Sequence, residues 1–177
     1  MAFAVQATSF GLMMIWMGEE LGEYKEKTPC VAKLDWSLIE DREDNSNAIN
    51  KQQLQYYKDV IQLRKLNLAL RTPNIEFIFE NIDNQIMVWH RWNSPVHDSH
   101  EEGNHVIVVC NWSSTIYETY EILNIPRNGR WYEWLNDDKE YLIEDNKLII
   151  DNFVDHTVRI FVYQMKKSDT VEKRSLA

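Results

Sequence analysis

Leu12-Met13-Met14-Ile15-Trp16-Met17-Gly18-Glu19-Glu20-Leu21-Gly22-Glu23-Tyr24 joins an apolar run to a glycine and a group of acids. Leu12 to Met17 is a continuous apolar run, too short for a helix and without alternation, which predicts a strand buried on both faces. Gly18 breaks the run and three acids follow, Glu19, Glu20 and Glu23. A buried strand ending in glycine and carboxylates is how a parallel strand delivers polar groups to a site at its C-terminal end. The plainer reading of the same residues is a turn at Gly18 with the acids in solvent or capping the next turn.

On either side of this stretch the chain changes character twice. Ala2–Phe10 is short, apolar and rich in small residues, and reads as the last turns of a helix stopped by Gly11. A helix beginning at the first residues suggests packing partners upstream. Lys25 to Asn50 is a long polar connection containing Pro29, the cluster Glu40–Asn47 and, in its middle, Leu34-Asp35-Trp36. Connections of this length are usually functional or disordered, and Trp36 argues against full disorder. Lys51–Leu70 is the clearest helix, with Leu54, Tyr57, Ile61 and Leu68 at three- and four-residue spacing beside Val60 and Leu63. Asn47 or Asn50 is its expected cap, and Arg71-Thr72-Pro73 ends it.

From Ile75 the period becomes two. Strands are expected at Ile75–Glu80, Gln85–Trp92, His105–Trp112, Tyr117–Leu123, Arg130–Trp134, Tyr141–Glu144, Lys147–Asp151 and His156–Tyr163. They are separated by turn residues such as Pro126-Arg127-Asn128-Gly129 and Asn136-Asp137-Asp138. Many short strands with frequent turns make an antiparallel sandwich. Lys166–Ala177, charged and aperiodic, reads as a disordered tail. The expected class is α+β, with one parallel-type strand and one long helix ahead of an all-β sandwich. That strand cannot cover both its faces from within this chain, which points to a larger α/β structure.

Composition narrows the function. The chain has 177 residues, 44% hydrophobic and 27% charged, enough for a real core. A net charge of −9 argues against nucleic acid or an anionic membrane surface as partner and is compatible with a neutral ligand such as a sugar. Seven Trp and eight Tyr suit sugar stacking and a β-sandwich core equally. Cys30 and Cys110 form no CxxC or disulfide framework, so a reducing, cytoplasmic setting is the default. The first ten residues carry no secretory pattern, and no apolar run is long enough to span a membrane.

The order of these segments resembles the C-terminal third of α-amylase superfamily enzymes, closest to bacterial 1,4-α-glucan branching enzymes. Four stretches carry the resemblance: Met17-Gly18-Glu19-Glu20-Leu21-Gly22-Glu23-Tyr24, Leu34-Asp35-Trp36, Gln55-Tyr56-Tyr57-Lys58-Asp59-Val60-Ile61-Gln62-Leu63-Arg64, and Trp131-Tyr132-Glu133-Trp134-Leu135-Asn136. It implies that Leu12–Met17 is the eighth strand of a (β/α)8 barrel, that Lys51–Leu70 is its eighth helix, and that an all-β C-terminal domain follows. The domains implied are 1–72 for the barrel remnant, 73–165 for the β domain and 166–177 for the tail. Met13 stands where the family usually has proline. Retaining α-glucan chemistry needs opposed carboxyls roughly 5–10 Å apart. The family's three catalytic carboxylates fall on earlier strands, so none maps onto this chain, and catalytic residues here are none.

The chain's own acids do not replace them. Glu19 and Glu20 are adjacent, so strand geometry sends them to opposite faces. They are expected at the active face of the parent barrel, organising substrate without reacting, or else with Glu20 bonded to backbone. Trp36, beside Asp35, is the best aromatic contact for a sugar, whereas Trp89, Trp112 and Trp131 read as core. His97, His100 and His105, with Asp98, Glu101 and Glu102, have metal-like spacing but read as a solvated hairpin loop, and no cofactor or metal is expected. Three functions compete: part of an α-glucan-active enzyme, inactive alone and prone to self-association; a stand-alone α-glucan-binding β module; or a chain that docks on a barrel supplied by another chain.

Overall fold

The computed structural model describes residues 1–24, 33–41, 43–44, 46–94 and 103–169. Its elements are α1 (Ala2–Thr8), α2 (Ala48–Leu66) and eight strands. These are β1 (Ile75–Asn81), β2 (Ile86–Trp92), β3 (His105–Asn111), β4 (Tyr117–Ile122), β5 (Gly129–Glu133), β6 (Lys139–Ile143), β7 (Leu148–Phe153) and β8 (Thr157–Tyr163). All pairings are antiparallel. Six strands form one sheet in the order β1-β2-β3-β8-β5-β6, and β4 pairs with β7 in a second, two-stranded sheet.

The alternation of side chains divides the large sheet into two cores. Val106, Val108 and Cys110 of β3 and Val158, Ile160 and Val162 of β8 point to one face. There they pack with Phe3, Ala4 and Ala7 of α1 and with Tyr57, Val60 and Leu63 of α2. Ile107 and Val109 of β3 and Phe161 of β8 point to the other, against Tyr120 and Ile122 of β4 and Leu148, Ile150 and Phe153 of β7. The helices cover one face and the two-stranded ribbon covers the other, so the all-β domain is a sandwich with one thin layer. All eight expected strands are present, with boundaries moved by one or two residues. Turns close them where Asp137-Asp138 and Asp145-Asn146 take positive φ, the conformation Asp and Asn tolerate best.

The N-terminal third departs from the sequence expectation. Leu12–Trp16 is not a strand: it has no ladder partner among the described residues. It nevertheless keeps a period of two. Met13 and Ile15 pack against the helix-side core, while Leu12 is 99% exposed, Met14 65% and Trp16 61%. Helix α1 ends at Ser9 in extended backbone, not at a glycine cap, and Gly11 lies beyond it. The C-terminal end of α1 is instead held from across the fold. The Arg64 guanidinium donates to the carbonyls of Ala7 (2.5 Å), Ser9 (3.2 Å) and Gly11, a cation placed where the helix dipole favours one.

Helix α2 starts three residues early and stops at Leu66. Asn67 leaves helical geometry and its side chain accepts from Ala69 N (3.0 Å), opening a separate 3-10 turn at Leu68–Arg71. Leu68 is therefore half exposed and off the apolar stripe. Asn47 is the N-cap residue but bonds elsewhere, to Glu40 O at 2.6 Å. The start of the expected tail is docked: Lys167 and Ser168 donate their backbone N–H to the Asp138 carboxylate, and Lys167 Nζ pairs with Asp59 at 2.7 Å. Residues 170–177 lie outside the described residues.

Candidate functional site

The acidic stretch folds into a 3-10 turn, Glu19–Leu21, bracketed by Gly18 and Gly22, both at positive φ. Backbone donors close it on Gly18 O, from Leu21 N at 3.1 Å and Glu23 N at 2.9 Å. The carboxylates lock the same turn. Glu20 Oε2 accepts from Gly18 N (3.1 Å), and Glu19 Oε2 accepts from Trp16 N (3.2 Å). The sequence expectation that adjacent acids take opposite strand faces does not apply, since neither residue is in a strand.

One face of α2 grips this turn through side chains three and four residues apart. Asn50 Nδ2 donates to Leu21 O (2.7 Å), Gln53 Nε2 to Glu19 O (2.6 Å) and Tyr57 Oη to Glu19 Oε1 (2.8 Å). Tyr57 does a second job, stacking on Phe3 at 4.0 Å between ring centroids. Burial, then the bond to Glu19, pushes the Tyr57 phenol well above its ordinary pKa, so it stays a donor. The sequence reading marked Tyr57 as a core position and passed over Asn50 and Gln53 as binding residues. Their signal was three hydrogen-bonding side chains at positions i, i+3 and i+7 of one helix.

Trp36 is 59% exposed and opens a second 3-10 turn, Trp36–Ile39, capped by Asp35, whose Oδ1 accepts from Ser37 N (3.2 Å) and Oγ (2.6 Å). The neighbouring Leu34 lies against Gly18: a Cβ built there would come within 2.9 Å of Leu34 Cδ2. The Leu-Asp-Trp trio and the Gly-Glu-Glu turn therefore meet. A cleft of about 410 Å³, lined by Phe3, Glu19, Gln53, Tyr56 and Tyr57, opens beside Glu19. Fixed carboxylates can accept from sugar hydroxyls, and exposed Trp16 and Trp36 offer faces for C–H stacking.

Gly18 is the residue this geometry can least do without. At φ +93° an alanine would be strained, and its Cβ would stand 2.8 Å from Glu23 Oε2. Gly18→Ala should cost about 2 kcal/mol, read as a fall in urea midpoint at unchanged slope.

The other sequence candidates resolve differently. Trp89 and Trp131 are buried as expected, but Trp112 is 40% exposed, because it follows β3 and leaves the core. His97, His100, Asp98, Glu101 and Glu102 lie outside the described residues. Among the described residues no group of three His, Cys, Asp or Glu could hold a metal ion. Their helices include none long and apolar enough to cross a membrane.

Residues 78–160 match the family described as the alpha amylase C-terminal all-beta domain. The 1,4-alpha-glucan branching enzyme GlgB of Geobacillus stearothermophilus is 29% identical over 130 residues, 72% of this chain and 19% of that enzyme. The chain thus matches less than a fifth of that relative's length. Solved structures share the fold: an alpha-amylase from Geobacillus thermoleovorans complexed with acarbose has a TM-score of 0.62 at 18% identity, covering 93% of this chain and 32% of that one. AmyP in complex with maltose gives 0.66 at 16%, over 93% and 34%. A cyclomaltodextrinase gives 0.63 at 19%, over 92% and 25%. The chain is thus similar, in the sequence of its β domain and in fold over nearly its whole length, to the C-terminal part of α-amylase family enzymes.

Proposed function

We propose that the chain serves as the C-terminal part of an α-glucan-active glycoside hydrolase or transglycosylase resembling 1,4-α-glucan branching enzyme, in glycogen or starch metabolism. Residues 1–72 take the place of the last strand and helix of a (β/α)8 barrel, 73–165 form the all-β domain, and the tail begins at 166. Glu19, Glu20 and Trp36 line the glucan side of the barrel rim and position substrate; the reacting carboxylates come from polypeptide other than these residues. The observation that carries this reading is the period-two exposure of Leu12–Trp16, a strand pattern with one face on the core and the other bare. The same bare face favours self-association of the isolated chain. A cytoplasmic setting goes with this reading, supported by the free, buried thiol of Cys110, whose pKa burial pushes up to about 12.

The purified 177-residue chain should neither cleave nor branch amylose, followed by reducing ends and iodine absorbance. Branch formation by the chain alone would overturn the reading. Mass spectrometry of the endogenous polypeptide separates the remaining cases. A product several hundred residues longer supports the enzyme, whereas one of 21.2 kDa leaves a glucan-binding module.

A further inference from the structure

A second cleft, of about 440 Å³, lies where the chain leaving α1 meets the chain leaving α2. Phe10 and Leu12 line it from the first segment, Leu70, Arg71 and Thr72 from the second, and Arg64 from α2 itself. Arg64 follows Tyr57 by seven residues, about 10 Å along the helix, so this cleft is separate from the one beside Glu19. Its charge differs too. In a chain of net charge −9, none of its described lining residues is acidic and two are arginines.

Neither guanidinium meets an acid among the described contacts. Arg64 donates to the carbonyls of Ala7, Ser9 and Gly11. A guanidinium has five N–H groups; with three given to these carbonyls, Nε and one proton of Nη2 carry no described bond. Arg71 is exposed and makes none of the described hydrogen bonds or ion pairs, so its fork is free to turn onto a ligand. The buried Arg91, bonded to carbonyls alone, feels Arg64 as a like charge, so positive potential accumulates at this junction.

We propose that this cleft binds a small organic phosphate monoester, its phosphate held between Arg64 and Arg71 and its body against Phe10, Leu12 and Leu70. The volume is that of a small-molecule site. Near neutral pH a phosphate monoester approaches a dianion with three acceptor oxygens, enough to engage two guanidinium forks at once; a carboxylate has one charge and two oxygens. Phe10 and Leu12, 66% and 99% exposed, offer apolar surface that a bare inorganic ion would leave in water. The site stands independently of the glucan reading.

Titration of the 15N-labelled 177-residue chain with phenyl phosphate at low salt, followed by the amide signals of Gly11 and Arg71, tests this. The Kd should be about 0.1–1 mM. Inorganic phosphate, which lacks the body, and benzoate, which lacks the second charge, should each bind about tenfold more weakly. Arg71→Gln should weaken phenyl phosphate about tenfold without moving the urea midpoint, because Arg71 ties down no other described group. Arg130→Gln removes the same charge from the exposed pair with Glu140 and should stay within about twofold. Leu12→Asp, at a position open to solvent, should weaken binding at least about tenfold by setting a carboxylate at the lip of the cleft. Unmoved Gly11 and Arg71 signals, benzoate binding as tightly as phenyl phosphate, or an equal loss in Arg71→Gln and Arg130→Gln overturns the site, as does unchanged affinity in Leu12→Asp.

Discussion

Arg91→Met should destabilise the chain by about 4 kcal/mol, visible as a lower urea midpoint and a Tm lower by roughly 10 °C. Arg91 is fully buried on β2, yet its guanidinium reaches no carboxylate among its described hydrogen bonds. It donates instead to four backbone carbonyls: Thr8 O at the end of α1 (2.6 Å), Thr72 O (2.6 Å), Ala69 O (3.4 Å) and Asn74 O (2.8 Å). These belong to three chain segments, and only Ala69 O has a second donor among the described hydrogen bonds, Thr72 Oγ1 at 3.0 Å, so one side chain ties together the end of a helix, a 3-10 turn and the approach to β1. Burial and the nearby Arg64 push its pKa down, but an arginine has room to spare and remains charged. Methionine fills the volume and leaves Thr8 O, Thr72 O and Asn74 O without that donor. Lysine would not rescue, because a single ammonium cannot span four acceptors on two sides of a planar fork. Arg91→Lys should therefore recover less than half of the loss, and recovery to wild-type stability would show that charge alone, not the fork, holds the junction.

This junction also explains what was readable in the sequence and what was not. Strands β1 to β8 announce themselves because alternation and turn residues are local signals, and all eight were expected within two residues of where they lie. The Tyr56-Tyr57 to Arg64 motif was legible as a helix and as a family resemblance, but not as a set of long-range bonds. Tyr57 holds Glu19, Arg64 holds the end of α1, and Asp59 O accepts from Trp134 Nε1 at 2.9 Å, 75 residues along the chain. Partners separated by tens of residues leave no periodic trace. Leu12–Met17 misled for a related reason: a continuous apolar run specifies burial without saying what buries it. The chain covers Met13 and Ile15 and leaves Leu12, Met14 and Trp16 to solvent. At the site, the glycines and acids were visible in order, but Asn50 and Gln53 looked like ordinary polar residues of a helix face.

The Glu133–Arg159 pair should show the sharpest non-additivity in the molecule. Glu133 is 2% exposed on β5; both its oxygens take the Arg159 fork from β8, Oε2 at 2.5 Å from Nη2, and Tyr141 Oη and Asn136 Nδ2 complete its shell at 3.3 and 3.1 Å. Arg159 Nη2 also reaches Tyr141 Oη at 2.7 Å. A two-point carboxylate–guanidinium contact with two further donors on one carboxylate oxygen is the geometry in which a buried ion pair holds its own against desolvation. Removing one member leaves the other charged, desolvated and alone, so Glu133→Leu and Arg159→Met should each cost about 3–5 kcal/mol. Removing both replaces two dehydrated charges by apolar volume in a layer already lined by Trp131, Tyr141 and Phe161. The double variant should then lose about 2 kcal/mol or less, well below the sum of the singles. Denaturant unfolding of the four proteins in one double-mutant cycle measures this. A double variant as unstable as the two singles added together would mean that the charges act separately, and that Tyr141 and Asn136, not the ion pair, organise this end of the sandwich.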